Sequence, residues 1–196
     1  LNARCSGKEI ARWRGDLLIT HTGLSGPCAL EISRPVAEAR SAMLEVDVLP
    51  DRTFETLSKE IQNYAAEHPK RLVATYLQPL LPERLVFELL ESVGVPTDQT
   101  FADLQRPHRN RIVETLKSWP LGEVKEALLD KGEVVAGGIA LDEVDPKTME
   151  SFKCQGLYCS GEALDVAGSV GGYNLQSAFA TGWVAGESAA RARAFS

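Results

Sequence analysis

The 196 residues carry 21 Lys and Arg against 27 Asp and Glu, a formal net charge of −6, with 44% hydrophobic and 24% charged residues. Those are the proportions of an ordinary globular protein, and the acidic balance argues against an electrostatic nucleic-acid binder. No apolar run reaches the ~20 residues of a membrane span, and no apolar h-region of a signal peptide follows Leu1–Cys5. Four cysteines (Cys5, Cys28, Cys154, Cys159) do not make a disulfide scaffold, so a reducing cytoplasm is the expected setting. A chain opening at Leu1 rather than Met reads as a fragment or processed product.

The first quarter is β-rich. Asp16–Thr20 is a short apolar strand candidate that ends in the turn-prone stretch Thr22–Pro27. Leu44, Val46 and Val48 alternate with Glu45 and Asp47, a period of two that predicts a half-buried strand over Met43–Leu49, stopped by Pro50. Between them Ala29–Arg40 is ambiguous, because Pro35 either sits in a short helix or interrupts an edge strand. The period then changes. Phe54, Leu57, Ile61 and Tyr64 share one helical face, with Asp51 or Thr53 as cap. Leu72, Val73, Tyr76, Leu77 and Leu80 form a second face. Leu85, Val86, Leu89 and Leu90 form a third after Pro82, with Gly94 at C′. Ile112, Val113 and Leu116 carry a fourth helix, on which Arg106, Arg109 and Arg111 read as a solvated face. Leu121, Val124 and Leu128 suggest a short fifth. This block is a small helical bundle. After Gly132 a strand signal returns over Glu133–Leu141, interrupted by Gly137 and Gly138. The order β, bundle, β predicts a bundle inserted into a β unit.

The most informative stretch begins at Gly156. A short apolar run ends at Gly161 and Glu162, Asp165 follows, then Gly168, Gly171 and Gly172, and a helical segment runs from about Asn174 to Ala194. This reads as strand, polar loop and helix. Carboxylates suit ribose or ribityl hydroxyls, and free amides at a helix N-terminus suit an electron-rich or anionic ligand atom. An acid in a loop is more often solvated or capping, and most glycine-rich loops are only turns. Ala178, Gly182 and Gly186 recur every four residues, a spacing for close helix packing from which Trp183 is excluded. No G-x-G-x-x-G and no P-loop occurs, so the half-site has no partner for a dinucleotide pyrophosphate within the chain. His21 beside Thr20, Thr22 and Ser25 lacks a nucleophile elbow. Cys154 and Cys159 lack a second ligand pair, so no metal site is expected.

Taken in order, Thr20–Pro27, Ala136–Ile139, Asp145–Ser151, Gly156–Glu162, Asp165 and Gly171–Gln176 resemble the bacterial FAD-dependent oxidoreductases described as HI0933-like or BaiN-like flavoproteins. The resemblance spans roughly residues 14–190 and covers the last two-thirds of the family's plan. It implies an α+β fold: a β-barrel-like domain over 1–50 and 131–152, a helical bundle inserted at 51–130, and a strand–loop–helix at 153–196 that completes a Rossmann-type FAD domain. It implies that Glu162, with Gly161 and Asp165, lies near the ribityl chain or pyrophosphate. It places the amides of Gly171, Gly172, Tyr173, Asn174 and Leu175 at the pyrimidine edge of the flavin, and Gly137 and Gly138 near the ring or the substrate. Val135 stands where the family has Thr.

The expected function is that of a fragment of a flavin oxidoreductase transferring hydride to a small organic substrate, with NAD(P)H as donor. The N-terminal FAD-binding segment is missing, so the fragment alone is expected not to retain FAD. No catalytic acid or base can be nominated. The competing reading is a non-catalytic interaction module. A nicotinamide-only dehydrogenase needs the same missing fingerprint. No nucleic-acid or membrane partner is expected, and an unpaired C-terminal segment is expected to leave an apolar patch that promotes a homodimer.

Overall fold

The computed structural model describes residues 1–39, 41–126, 132 and 134–194. In chain order the elements are β1 (Asn2–Cys5), β2 (Lys8–Arg12), β3 (Leu18–Thr20), β4 (Gly23–Ser25), α1 (Pro27–Glu38), β5 (Met43–Val46), α2 (Phe54–Glu67), α3 (Val73–Leu77), α4 (Glu83–Ser92), α5 (Arg106–Lys117), β6 (Trp119–Glu123) and α6 (Tyr173–Ala194). The class is α+β with antiparallel sheets. The chain divides into two compact units, Leu1–Arg14 with Ala39–Val124, and Gly15–Glu38 with Lys125–Ser196.

The first unit holds a four-stranded antiparallel sheet in the order β2-β1-β5-β6. Strands β1 and β2 turn at Ser6-Gly7, both at positive φ (50° and 78°). Neither strand was legible in advance, because Asn2–Arg12 has no apolar alternation. Strand β5 is shorter than expected. It ends at Val46, and Val48 instead donates its N–H to Leu116 O of α5. The expected fifth helix is a correction: Trp119–Glu123 is strand β6, paired with β5. Leu121 and Val124 have helical spacing, but Gly122 at φ 97° cannot sit in a right-handed helix, and β5 offers an open ladder edge. Leu128 lies outside the described residues.

Glu45 ties this sheet together. Its Oε2 accepts from Ser118 Oγ (2.7 Å) and its Oε1 from Arg4 Nε (2.8 Å). These contacts, Ser118 foremost and then Arg4, hold the carboxyl below its ordinary range. A depressed folded pKa contributes stability above the unfolded value of ~4.3, lost as pH falls through the folded value. Glu45→Gln is therefore expected to lower stability by about 1 kcal/mol at pH 7. The gap to wild type should close once acid titrates the native carboxyl, as thermal melts across pH 7 to 3 would show.

Four helices form the bundle. Leu57 and Ile61 of α2, Val73 and Leu77 of α3, Val86, Leu89 and Leu90 of α4, and Ile112, Val113 and Leu116 of α5 are almost completely buried in one cluster. Each helix presents the face that its apolar spacing predicts, although Phe54 and Leu72 stay partly exposed at the helix starts. Thr53 is the cap of α2, its hydroxyl accepting from Thr56 N (3.1 Å). Gly94 closes α4 at φ 72°. Arg106 and Arg111 are exposed on α5 and Arg109 half-buried.

In the second unit β3 and β4 form a hairpin, with the N–H of Gly23 donated to Thr20 Oγ1 (3.1 Å) at its turn. The ambiguous Ala29–Arg40 stretch resolves as helix α1, with Pro27 at its start and Pro35 inside. Pro35 lacks an N–H, so it removes the bond to Glu31 O. The helix survives because Cys28, Ile32 and Val36, at a spacing of four, bury one face.

Candidate functional site

The expected strand over Glu133–Leu141 is corrected to irregular backbone among its described residues; Glu133 lies outside them. Gly137 and Gly138, at φ 100° and 152°, break the extended run, and only Ile139 pairs, in a single parallel bridge to Leu164. The segment after Gly156 also lacks a full strand. Tyr158 makes one antiparallel bridge to Glu150, and the chain then enters a 3-10 turn at Gly161–Ala163. The strand–loop–helix is thus a loop–turn–loop–helix. Its small core is Val144, Met149, Cys159, Leu164 and Ala185.

What replaces the strand is a set of side-chain-to-backbone clasps. Glu162 Oε1 accepts from Val135 N (2.9 Å), and Asp165 Oδ1 accepts from Gly137 N (3.1 Å). Two main-chain bonds run alongside, Ile139 N to Ala163 O (2.8 Å) and Asp165 N to Ile139 O (3.0 Å). Gly138 sits so tightly in this clasp that a Cβ there would lie 2.7 Å from Ala163 O. The two segments singled out in sequence, Gly137-Gly138 and Glu162–Asp165, are therefore one structural feature. The acids spend one oxygen each on the loop's amides, and charge-assisted bonds of this type are the stronger class.

The glycine loop is pinned in the same manner. Asn174 grips Gly168 twice, accepting from its N–H (2.7 Å) and donating Nδ2 to its carbonyl (3.0 Å). Gly171 and Gly172 have φ of 129° and 88°, which turn the chain into α6. The bond from Gln176 N to Gly172 O (3.0 Å) opens that helix. The amides of Tyr173, Asn174 and Leu175 therefore belong to the first turn, where no carbonyl lies one turn back. No acidic residue occupies that turn, so none of its own side chains offsets the positive end of this 22-residue helix. Such a terminus favours an anion or an electron-rich ring edge. Where α6 passes the 3-10 turn, Gly161 donates its N–H to Thr181 Oγ1 (2.9 Å), and a Cβ on Gly161 would touch Ala178 at 3.7 Å. Ala178 and Gly182 approach Gly161 and Ser160 as the small-residue spacing predicts, whereas a Cβ added at Gly186 would meet nothing within 4 Å.

Three contributors had no reading in the sequence. Arg34 of α1 reaches Asp165 Oδ1 (3.3 Å) and also donates to Glu38 Oε1 (2.9 Å). The Glu38 bond, followed by the Asp165 charge, raises the pKa of its guanidinium. Glu31, one turn earlier, accepts from Val170 N (2.7 Å). Thr181 is the third. An unambiguous helix at Ala29–Arg40 would have flagged Glu31, Arg34 and Glu38 as one charged face. His21 is exposed, and no cluster of three or more His, Cys, Asp or Glu able to hold a metal exists among the described residues.

Comparison with known proteins bears on the same residues. The family model for the HI0933-like protein barrel and H2TH domain matches residues 1–134. The chain belongs to the HI0933-like family. HI0933-like relatives include the ribosomal RNA dihydrouridine synthase of Haemophilus influenzae, 35% identical over 175 residues (89% of this chain, 42% of that protein). Its Escherichia coli counterpart is 35% identical over 171 residues (87% and 41%). The 3-dehydro-bile acid delta(4,6)-reductase of Clostridium scindens is 33% identical over 189 residues (94% and 46%). The chain spans less than half the length of these HI0933-like relatives. Their alignments, at 87–94% of the chain, extend past the matched barrel and bundle region. No described helix is long and apolar enough to cross a membrane.

Proposed function

We propose that this chain is the substrate-side and C-terminal part of an FAD-dependent oxidoreductase that reduces a carbon–carbon double bond conjugated to a carbonyl. One observation carries the reading. The names of two differently directed relatives denote the same change, two hydrogens added across such a bond, in a pyrimidine and in a steroid skeleton. The net charge of −6 favours a small neutral or weakly charged substrate over a polyanion for this chain.

The donor set fits a flavin. Bound there, a flavin reduced by NAD(P)H would supply hydride chemistry, and the second hydrogen would arrive as a proton. First-turn amides of Tyr173, Asn174 and Leu175 with the α6 dipole stabilise negative charge at the pyrimidine edge. The second carboxylate oxygens of Glu162 and Asp165 accept from ribityl or ribose hydroxyls. Gly171 and Gly172 allow close approach of the ring, since no Cβ stands in the way. Gly137 and Gly138 border the ring or the substrate. The pyrophosphate would be held by a strand and G-x-G-x-x-G turn outside these residues. That segment would also cover α6 and join the loop to a Rossmann-type sheet.

The test is a visible spectrum and flavin titration of the full-length gene product. Flavin absorption bands are expected, bleaching on addition of NADH or NADPH and returning with an enone substrate. Glu162→Gln should weaken FAD binding by about 10–100-fold, the worth of one hydrogen bond to a charged group. A colourless protein that takes up no FAD would instead favour an interaction module. Turnover of a uridine-containing RNA but not of an enone would overturn the substrate assignment while leaving the chemistry.

A further inference from the structure

The loop that bears Asp165, Gly168, Gly171 and Gly172 has almost no core of its own; what holds it comes from outside. Asn174 secures the middle. The two ends are held by a helix that starts more than 130 residues earlier in the sequence, since Glu31 to Val170 is a separation of 139. We propose that Glu31 and Arg34, one turn apart on α1, are positioning residues of this loop. Glu31 fixes Val170 immediately before Gly171-Gly172, and Arg34 acts through Asp165 on Gly137.

The geometry is a relay. The buried face of α1, Cys28, Ile32 and Val36, sets the rotation of the helix. That rotation puts Glu31, Arg34 and Glu38 on an adjacent face, since residues three and four apart are neighbours. Glu38 Oε1 holds the Arg34 Nε at 2.9 Å, which presents Arg34 Nη2 to Asp165 Oδ1 at 3.3 Å. The same Oδ1 accepts the Gly137 N–H at 3.1 Å. Gly137 is followed by Gly138, where an added Cβ would lie 2.7 Å from Ala163 O. A carboxylate that holds a backbone amide is best immobilised by a second, oppositely charged partner, and a guanidinium supplies one in a fixed plane. Because Arg34 and Asp165 are both about one-third exposed, the pair's value lies in orientation rather than in stability. Sites of this kind tolerate displacements of only ~0.5 Å. This inference rests on the flavin reading for what the loop binds, but not for the relay itself.

The test uses the full-length gene product, with Glu31→Gln, Arg34→Gln and Arg34→Lys. Hydrogen exchange followed by mass spectrometry reads the loop directly, and FAD titration reads the site. Arg34→Gln should speed exchange around Val135–Ile139 by about 2–5-fold, the range an exposed ion pair supplies. Glu31→Gln should do so around Val166–Gly172, and the bundle amides should not change in either. FAD affinity should fall about tenfold in both variants, and Arg34→Lys should recover part of it while lacking the planar fork. Unaltered loop exchange in Arg34→Gln and Glu31→Gln overturns the proposal even if the protein is yellow. Faster loop exchange in a protein that binds no flavin upholds the relay and removes the cofactor reading alone.

Discussion

Gly138→Ala is expected to cost roughly 2–5 kcal/mol, the sum of a strained backbone and an overpacked contact. At φ 152° an L-residue is strained wherever it stands. Here the added methyl also lands 2.7 Å from Ala163 O and 2.9 Å from the carbonyl carbon of Leu164. Backbone atoms cannot swing aside as a side chain can. Relief requires breaking the Ile139 N to Ala163 O bond, the Asp165 N to Ile139 O bond, or both. Either break would free Gly137 from Asp165. Gly137→Ala is the internal control, because its φ of 100° is also strained but a Cβ there meets nothing within 4 Å. Denaturant unfolding should show Gly138→Ala as the more damaging by about 1–3 kcal/mol, the overpacking share. Equal losses in the two variants would mean that the clasp is not tight.

The largest effect is expected at α6. Leu175, Phe179 and Trp183 stand four residues apart and are 68%, 74% and 71% exposed, with Tyr173 at 66%. Exposed Gly182 and Gly186 lie alongside this stripe, beside the face on which Ala178 and Thr181 meet Gly161. Full burial of large apolar side chains stabilises by about 1.5–3 kcal/mol each, so three of them represent roughly 5–9 kcal/mol. Monomeric proteins rarely leave such a stripe open to water. The 196-residue chain on its own should therefore self-associate in sedimentation, with mass rising as concentration rises. Phe179→Asp with Trp183→Asp should return it to a monomer. In the full-length gene product the same double variant should unfold at far lower denaturant and lose FAD, as the proposed covering of the stripe requires. A wild-type chain that stays monomeric at every concentration would count against this account.

Local periodicity carried the bundle. Leu57, Ile61, Val86, Leu89, Leu90, Ile112, Val113 and Leu116 are buried as their spacing dictates, because a helix face is defined by its own sequence. The strands were harder. Strands β1 and β2 lack alternation, and β6 imitates a helix, since a strand is completed by a neighbour that local pattern does not name. Of the small-residue positions of α6, Ala178 lies against Gly161 as the spacing predicts, whereas Gly182 and Gly186 stay exposed. That Trp183 stays 71% exposed was not legible, because exposure depends on what else is present.

For the candidate site the division is sharper. The amino-acid sequence by itself determined the family, the four-helix core, the lack of a G-x-G-x-x-G motif among these residues, and a C-terminal segment rich in acids and glycines ahead of a long helix. Each is a property of adjacent residues or of an ordered set of short motifs. Only the tertiary structure decided that Glu162 and Asp165 clasp the amides of Val135 and Gly137, and that Glu31 and Arg34 brace the loop from α1. Those bonds join residues 27 to 139 positions apart. A side chain that bonds to a distant backbone amide needs no particular residue at the other end, so it leaves no pairing signal in a single sequence.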